Sequence, residues 1–239
     1  MKNVKQMVLV LGCAVVLAGC TTTGLSTYER GGFNYTNFVY GMYDSKESKG
    51  DKPIALKRPV AIAVAQVGEN APPQLALRKL DSERGLINKV VIIPAGSDQQ
   101  NDYYGYGSAP KENMKPESFE ERAVKMRRLA QDLGADYIFL IGGSAEMRGT
   151  QSWLGVLDFT IVGAFIFPTQ QLIADGKAVG AFLDASTGRV VFIVNTQKQI
   201  TTRATSYNFT GKQDELIKNL RDALTNDLTE KFIDQLKNF

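Results

Sequence analysis

Two hydrophobic periods alternate along the chain from Pro59 to Phe239. PVAIAVAQV (59–67) is a short apolar run rich in Val, bounded by Pro and Gly, and predicts a buried strand. PPQLALRKL (72–80) predicts a helix, with Pro73 tolerated in its first turn. KVVIIP (89–94) predicts a second strand, and the Gly/Ser/Pro/Asn-rich stretch 96–116 predicts a long loop. Next, Ser118 and Glu121 have the spacing of a capping box. Phe119, Ala123, Met126, Ala130 and Leu133 follow at helical intervals, and Gly134 supplies a stop. ADYIFLIGG (135–143) predicts a strand. The segment 177–204 predicts two strands joined at Ser186–Arg189, where Gly188 can take a positive φ. From Asp214 a long amphipathic helix closes the series, its stripe formed by Leu216, Leu220, Leu224, Leu228, Phe232 and Leu236. This order predicts an α/β fold with a mixed sheet and flanking helices. The sheet should be parallel where helices intervene and antiparallel at the hairpin.

One apolar run fits this pattern poorly. WLGVLDFTIVGAFIFP (Trp153 to Pro168) has a single charge, Asp158. As one helix it would rise about 24 Å, short of the ~30 Å hydrocarbon thickness, and Gly155 and Gly163 interrupt it. A membrane-spanning helix is therefore disfavoured. Its Trp, Val, Phe, Ile and Thr content suits a strand. At period two, Trp153, Leu157, Phe159, Ile161, Phe165 and Phe167 share one face, and the other is nearly as apolar. A strand covered on both sides reads this way, with a bend, a bulge or a short helix near Gly163. A segment at the lipid interface and a protein–protein or ring-forming surface are the two alternatives.

The N-terminus reads as an address. Lys2 and Lys5 precede an apolar stretch from Met7 to Leu17, which ends in Leu17-Ala18-Gly19-Cys20. That is the layout of a secretory signal peptide. The last four residues closely match the bacterial lipobox. The match implies cleavage before Cys20, a diacylglycerol on its thiol and a fatty acyl chain such as palmitate on the new amine. Two or more chains anchor stably, each buried CH₂ adding roughly 0.8 kcal/mol. Thr21, where an Asp would favour the inner membrane in enteric-type bacteria, points to the periplasmic face of the outer membrane.

Composition narrows the chemistry. Cys13 leaves with the signal and Cys20 is consumed by lipid, so the mature chain is expected to carry neither a free thiol nor a disulfide. Losing Lys2 and Lys5 takes the formal charge from +3 to +1, no footprint for nucleic acid. The chain contains no histidine, which excludes Ser-His-Asp catalysis, H-E-x-x-H zinc sites and imidazole bases. A carboxylate pair or a Ser–Lys dyad remains chemically open, but nothing marks one. Gly105-Tyr106-Gly107 lacks the rest of a phosphate loop, and Gly142-Gly143-Ser144 lacks the closing glycine of a nucleophile elbow. No enzyme, cofactor or metal site is expected.

Residues 20–57 read as a lipidated tether with an aromatic arm, holding Phe33, Tyr35, Phe38, Tyr40 and Tyr43. Plain linkers are poor in aromatics. Either the arm docks on its own domain, or it meets a partner or the lipid headgroups.

Taken in order, RPVAIAVAQV (58–67), RRLAQDLGADYIFLIGG (127–143) and FLDASTGRVVF (182–192) resemble a group of envelope lipoproteins. That group comprises domains related to the TolB N-terminal domain, the curli secretion lipoprotein and the penicillin-binding-protein activator lipoproteins. LDFTIVGAFIFP (157–168), with NFVYGMY (37–43) soon after Cys20, is similar to the rhombotarget-type lipoproteins. The shared motifs are structural and carry over no catalytic residue. The resemblance implies a signal peptide at 1–19, a tether at 20–57 and one compact TolB N-terminal-like α/β domain at 58–239. The expected function is a non-enzymatic periplasmic binding or scaffold module, with self or another envelope protein as partner. The alternative is an oligomeric export accessory meeting the outer membrane through 153–167. Candidate contact residues are Trp153, Leu157, Phe159, Phe165 and Phe167, the aromatic arm, and the loop Tyr103–Tyr106.

Overall fold

The structure is a computed structural model. It describes residues 56–67, 69, 71–94, 119–151, 165 and 167–239, with the side chains of 119–123 and 151 outside the description. The expectations for Cys20, the aromatic arm, Tyr103–Tyr106, Ser118, Trp153, Leu157 and Phe159 therefore lie outside the described residues. The elements in chain order are β1 (Val60–Gln66), α1 (Gln74–Ser82), β2 (Ile87–Ile92), α2 (Phe119–Asp132), β3 (Tyr137–Gln151), β4 (Gln170–Asp184), β5 (Val190–Ala204) and α3 (Phe209–Asn238). The α/β class and the mixed sheet expected from the sequence are both present.

The five strands are ordered β2-β1-β3-β4-β5. β1 pairs in parallel with β2, Val64 opposite Ile92, and with β3, Val64 opposite Phe139. The last three strands form a meander. Gly143 lies against Lys177 and Ala178, and Gly149 against Leu172, so numbers rise along β3 as they fall along β4. The β4–β5 turn is tight, with the Asp184 N–H donating to the Arg189 carbonyl at 2.9 Å. Because β2 and β3 lie on opposite sides of β1, right-handed crossovers require α1 and α2 on opposite faces of the sheet. The packing agrees.

Contacts within the chain gather into two compact units. The described part of unit 2 is 56–146, 175–200 and 217–239; that of unit 1 is 147–174 and 201–216. In unit 2, the α2 side of the sheet mixes alanines with branched aliphatic residues and carries no aromatic ring among its buried members. Ala63, Ala65, Ala181 and Ala185 join Ile138, Leu140, Val179 and Leu183 beneath Met126 and Ala130. The opposite side is aromatic. Phe232 of α3 stacks on Phe139 at 3.9 Å between ring centroids and meets Phe182 edge-on at 5.2 Å. Phe192 closes the group at 5.0 Å from Phe182. α1 shares this face, tied to α3 by Lys79–Glu230 at 2.5 Å and Glu83–Lys237 at 3.1 Å. These ties bridge exposed side chains and contribute little beyond orientation.

Two glycines on β4 make the close approach of α3 possible. A Cβ at Gly180 would fall 2.5 Å from the Phe139 ring, and one at Gly176 would fall 2.6 Å from Leu224. Positions 176, 178, 180 and 182 share a face at the two-residue period of a strand. Phe139, Leu220 and Leu224 occupy the space those side chains would have taken.

The helix stop at Gly134 is a Schellman motif. The Gly134 N–H donates to the Gln131 carbonyl at 2.8 Å and the Ala135 N–H to the Ala130 carbonyl at 2.9 Å. Gly134 has φ +72°, which glycine adopts without a Cβ penalty. The Asp136 N–H then donates to the Ala61 carbonyl, and the Asp136 carbonyl accepts from Ala185 N–H, both at 2.9 Å. The L-G-A-D segment thus joins helix, sheet and hairpin turn.

Candidate membrane or partner contact

In the described part of unit 1, the buried set is Met147, Thr169, Leu172, Ala174, Ala204 and Leu216. Phe209 packs over Gly149 beside Leu172, where a Cβ on Gly149 would still find ordinary contacts of 3.6–3.7 Å. Against that core, three aromatic side chains stand in solvent. Tyr207 is 73% exposed, Phe165 52% and Phe167 43%. The rings of Phe165 and Tyr207 meet at 4.4 Å between centroids. They remain open to water on their other sides.

Local backbone chemistry fixes two of the three. The Thr169 N–H donates to the Phe167 carbonyl at 2.9 Å across Pro168, whose ring holds φ near about −65°. Thr169 is thereby turned inward and fully buried, Phe167 outward, and β4 starts at Gln170. Tyr207 sits in a turn closed from both ends. The Thr205 N–H donates to Asn208 Oδ1 at 2.8 Å, and the Asn208 N–H donates to Thr205 Oγ1 at 3.3 Å. This is the reciprocal pattern of a capping box, with Asn replacing Glu or Gln. The Asn208 carbonyl then accepts from Lys212 N–H at 3.0 Å as α3 begins.

The expectation of a covered strand through Phe165 and Phe167 is corrected. Phe165 lies in helical backbone and Phe167 in a bend, both exposed, so neither is a strand residue packed between layers. The short helix allowed for after Gly163 agrees with Phe165. Sequence reasoning missed Tyr207, because only the fold brings it against Phe165. The one available signal was an aromatic residue inside the polar turn T-S-Y-N before a helix.

Two polar clusters lie in unit 2. Asp184 Oδ1 accepts from the Ser186 and Thr187 N–H groups at 2.9 and 2.8 Å, and from their hydroxyls at 2.6 and 3.0 Å. Partial burial pushes its pKa up. The hydrogen bonds from Ser186 and Thr187 outweigh this and hold it below the usual carboxylate value. Gly188, at φ +72°, closes this turn, and Gln131 Nε2 braces it by donating to the Ala185 carbonyl at 2.9 Å. On β5 and α3, Thr196 Oγ1 donates to Asp227, with Lys231 at 3.2 Å and Lys198 at 3.4 Å. The Thr196 hydrogen bond first, then the lysines, lower the Asp227 pKa against a smaller desolvation effect. Both clusters fasten secondary structure. Ser144 lies mid-strand in β3, away from any strand–helix turn. Among the described residues, no set of three His, Cys, Asp or Glu side chains is grouped to hold a metal ion.

No known family and no curated protein matches the chain. Solved structures overlap it loosely. A PelC dodecamer from Paraburkholderia phytofirmans is 14% identical, covering 77% of this chain and 92% of that one, with a TM-score of 0.32. Lipoprotein GNA1162 from Neisseria meningitidis is 14% identical over 66% and 96%, with a TM-score of 0.29. The hypothetical protein CT253 from Chlamydia trachomatis is 10% identical over 75% and 97%, at 0.28. Superpositions this loose transfer neither an assembly state nor a function.

Proposed function

We propose that this chain is a lipid-anchored, non-enzymatic cell-envelope protein whose α/β fold serves as a periplasmic binding or scaffold module at the outer membrane. One observation carries the reading: Leu17-Ala18-Gly19-Cys20 closes a short apolar stretch behind two lysines. Small residues admit the peptidase to the backbone, and only a thiol accepts the thioether-linked diacylglycerol. A binding role is supported within each unit by itself, by a turn closed with Asp184 hydrogen bonds in unit 2 and by exposed aromatic side chains beside the Thr205–Asn208 turn in unit 1. The absence of histidine and the structural use of Asp184 and Asp227 support a non-enzymatic one.

The test is labelling with radioactive palmitate in a lipoprotein-processing bacterium, followed by separation of inner and outer membranes. The chain is expected to take up label and sediment with the outer membrane. Cys20→Ser should lose the label and remain as the unprocessed precursor. Equal label on the variant would overturn the anchor, and label confined to the inner membrane would overturn the location.

A further inference from the structure

We infer that Phe165, Phe167 and Tyr207 form a second contact with the membrane, inserting at the level of the lipid headgroups. This rests on the anchoring reading above and adds a lipid-binding surface to it.

Exposure is the first observation. Among the described residues, every exposed aromatic side chain except Phe239 belongs to this group. Each of the three faces water although unit 1 has its own buried set. Geometry is the second. The Pro168 turn and the reciprocal Thr205–Asn208 hydrogen bonds hold Phe167 and Tyr207 outward, so exposure does not depend on side chains left loose. A tyrosine with an apolar ring and a polar tip, beside two phenylalanines, is the composition that favours the membrane–water interface.

Charge selects the occupant. No Asp or Glu stands in the described residues of 165–174 or anywhere in 201–213, whereas Arg203 and Lys212 flank the Tyr207 turn. Over residues 201–216 Arg203 and Lys212 are balanced by Asp214 and Glu215, Lys212 pairing with Glu215 at 2.7 Å, so the surround is close to neutral and the carboxylates lie beyond the turn rather than beside Tyr207 in sequence. A bilayer surface carrying anionic phosphates accepts such a face, and carboxylates there would be repelled.

Tethering supplies the remaining free energy. Cys20 lies about 36 residues before Leu56, so the described structure can never stand more than about 130 Å from the acylated residue. Within that volume a patch too weak to recruit a free protein still meets lipid at high effective concentration.

The test uses the full lipidated chain in phosphatidylethanolamine–phosphatidylglycerol vesicles. Ser206→Cys places a thiol-reactive, polarity-sensitive dye beside Tyr207 and leaves the three aromatics intact. Gly85→Cys, where a Cβ meets nothing within 4 Å, is the unit 2 control. Nitroxide-labelled lipid should quench most of the emission at position 206 and little at 85. Adding Phe165→Ser and Phe167→Ser should restore the emission at 206. Equal, weak quenching at both positions overturns the inference, as does quenching that survives the Phe replacements. Emission at 206 that follows protein concentration rather than lipid also overturns it, and assigns the face to a second copy. Wild type should take up no dye, its only remaining thiol being acylated. Dye on wild type shows that the anchor itself has failed, and this inference then falls with it.

Discussion

Asp184 is the residue whose chemistry is most fully specified. Four donors from Ser186 and Thr187 converge on one of its oxygens, and the carboxylate is favoured over the acid. A depressed folded-state pKa means the native state binds its proton less tightly than the unfolded chain. The contribution is therefore complete above the ordinary carboxylate value of 3.8 and is lost as pH falls through the lower folded value. Asp184→Asn should melt lower than wild type at neutral pH, and the gap between the two melting temperatures should narrow as pH falls below 3.8 and on through the lower folded value. A gap that persists undiminished in acid would mean that charge plays no part. At this scale the sequence was readable wherever a residue type answers a backbone demand. Gly134 and Gly188 both adopt φ +72° in the stop and the turn expected of them. Tyr207 was not readable, since its partner Phe165 lies far away along the chain.

Among the elements, β3 departs furthest from expectation. Gly142-Gly143 reads as the end of a strand, because glycine weakens strands and contributes no side chain. Instead the strand continues to Gln151. A Cβ on Gly143 would lie 2.8 Å from the Lys177 carbonyl, so the glycine marks a close backbone approach between neighbours rather than a terminus. Such tertiary demands have no local signature. The same reasoning yields a prediction for β4. Gly180→Ala would drive a methyl into the Phe139 ring and Val194, and overpacking of this kind costs about 1–3 kcal/mol. Urea denaturation should show the loss, and Phe139→Leu in the same chain should recover part of it. Failure of the second change to help would mean that the strain lies in the backbone. α3 was legible from its leucine stripe, but it begins at Phe209, ahead of the expected Asp214, because the Thr205–Asn208 capping turn lies upstream of the stripe.

For the molecule as a whole, alternation of periods was enough to give the α/β class, the parallel β1 pairings and the antiparallel hairpin. The division into two units was not visible, since β3, β4, β5 and α3 each run through both without a break in pattern. Nor did the sequence reveal that the two sides of the unit 2 sheet differ in kind, one alanine-rich and one aromatic. That asymmetry predicts a larger share of stability from the aromatic layer. Phe232→Ala removes a fully buried ring stacked on Phe139 and should cost about 3–5 kcal/mol in chemical denaturation. Met126→Ala on the α2 side, a smaller excision beside alanines, should cost less. Equal losses would show that the two layers carry equal weight.

The position of Phe232 in the chain bears on when the fold can form. The aromatic layer is completed by α3, the last element described, which packs on β3 and β4 strands made long before it. A chain synthesised or threaded through a pore from its N-terminus exposes Phe139, Phe182 and the glycine gaps of β4 with nothing to cover them. Up to that moment the partial sheet lacks the Phe232 ring that covers Phe139 and Phe182. Completion of the aromatic layer therefore waits for the last helix, so the fold closes only when nearly the whole chain is available.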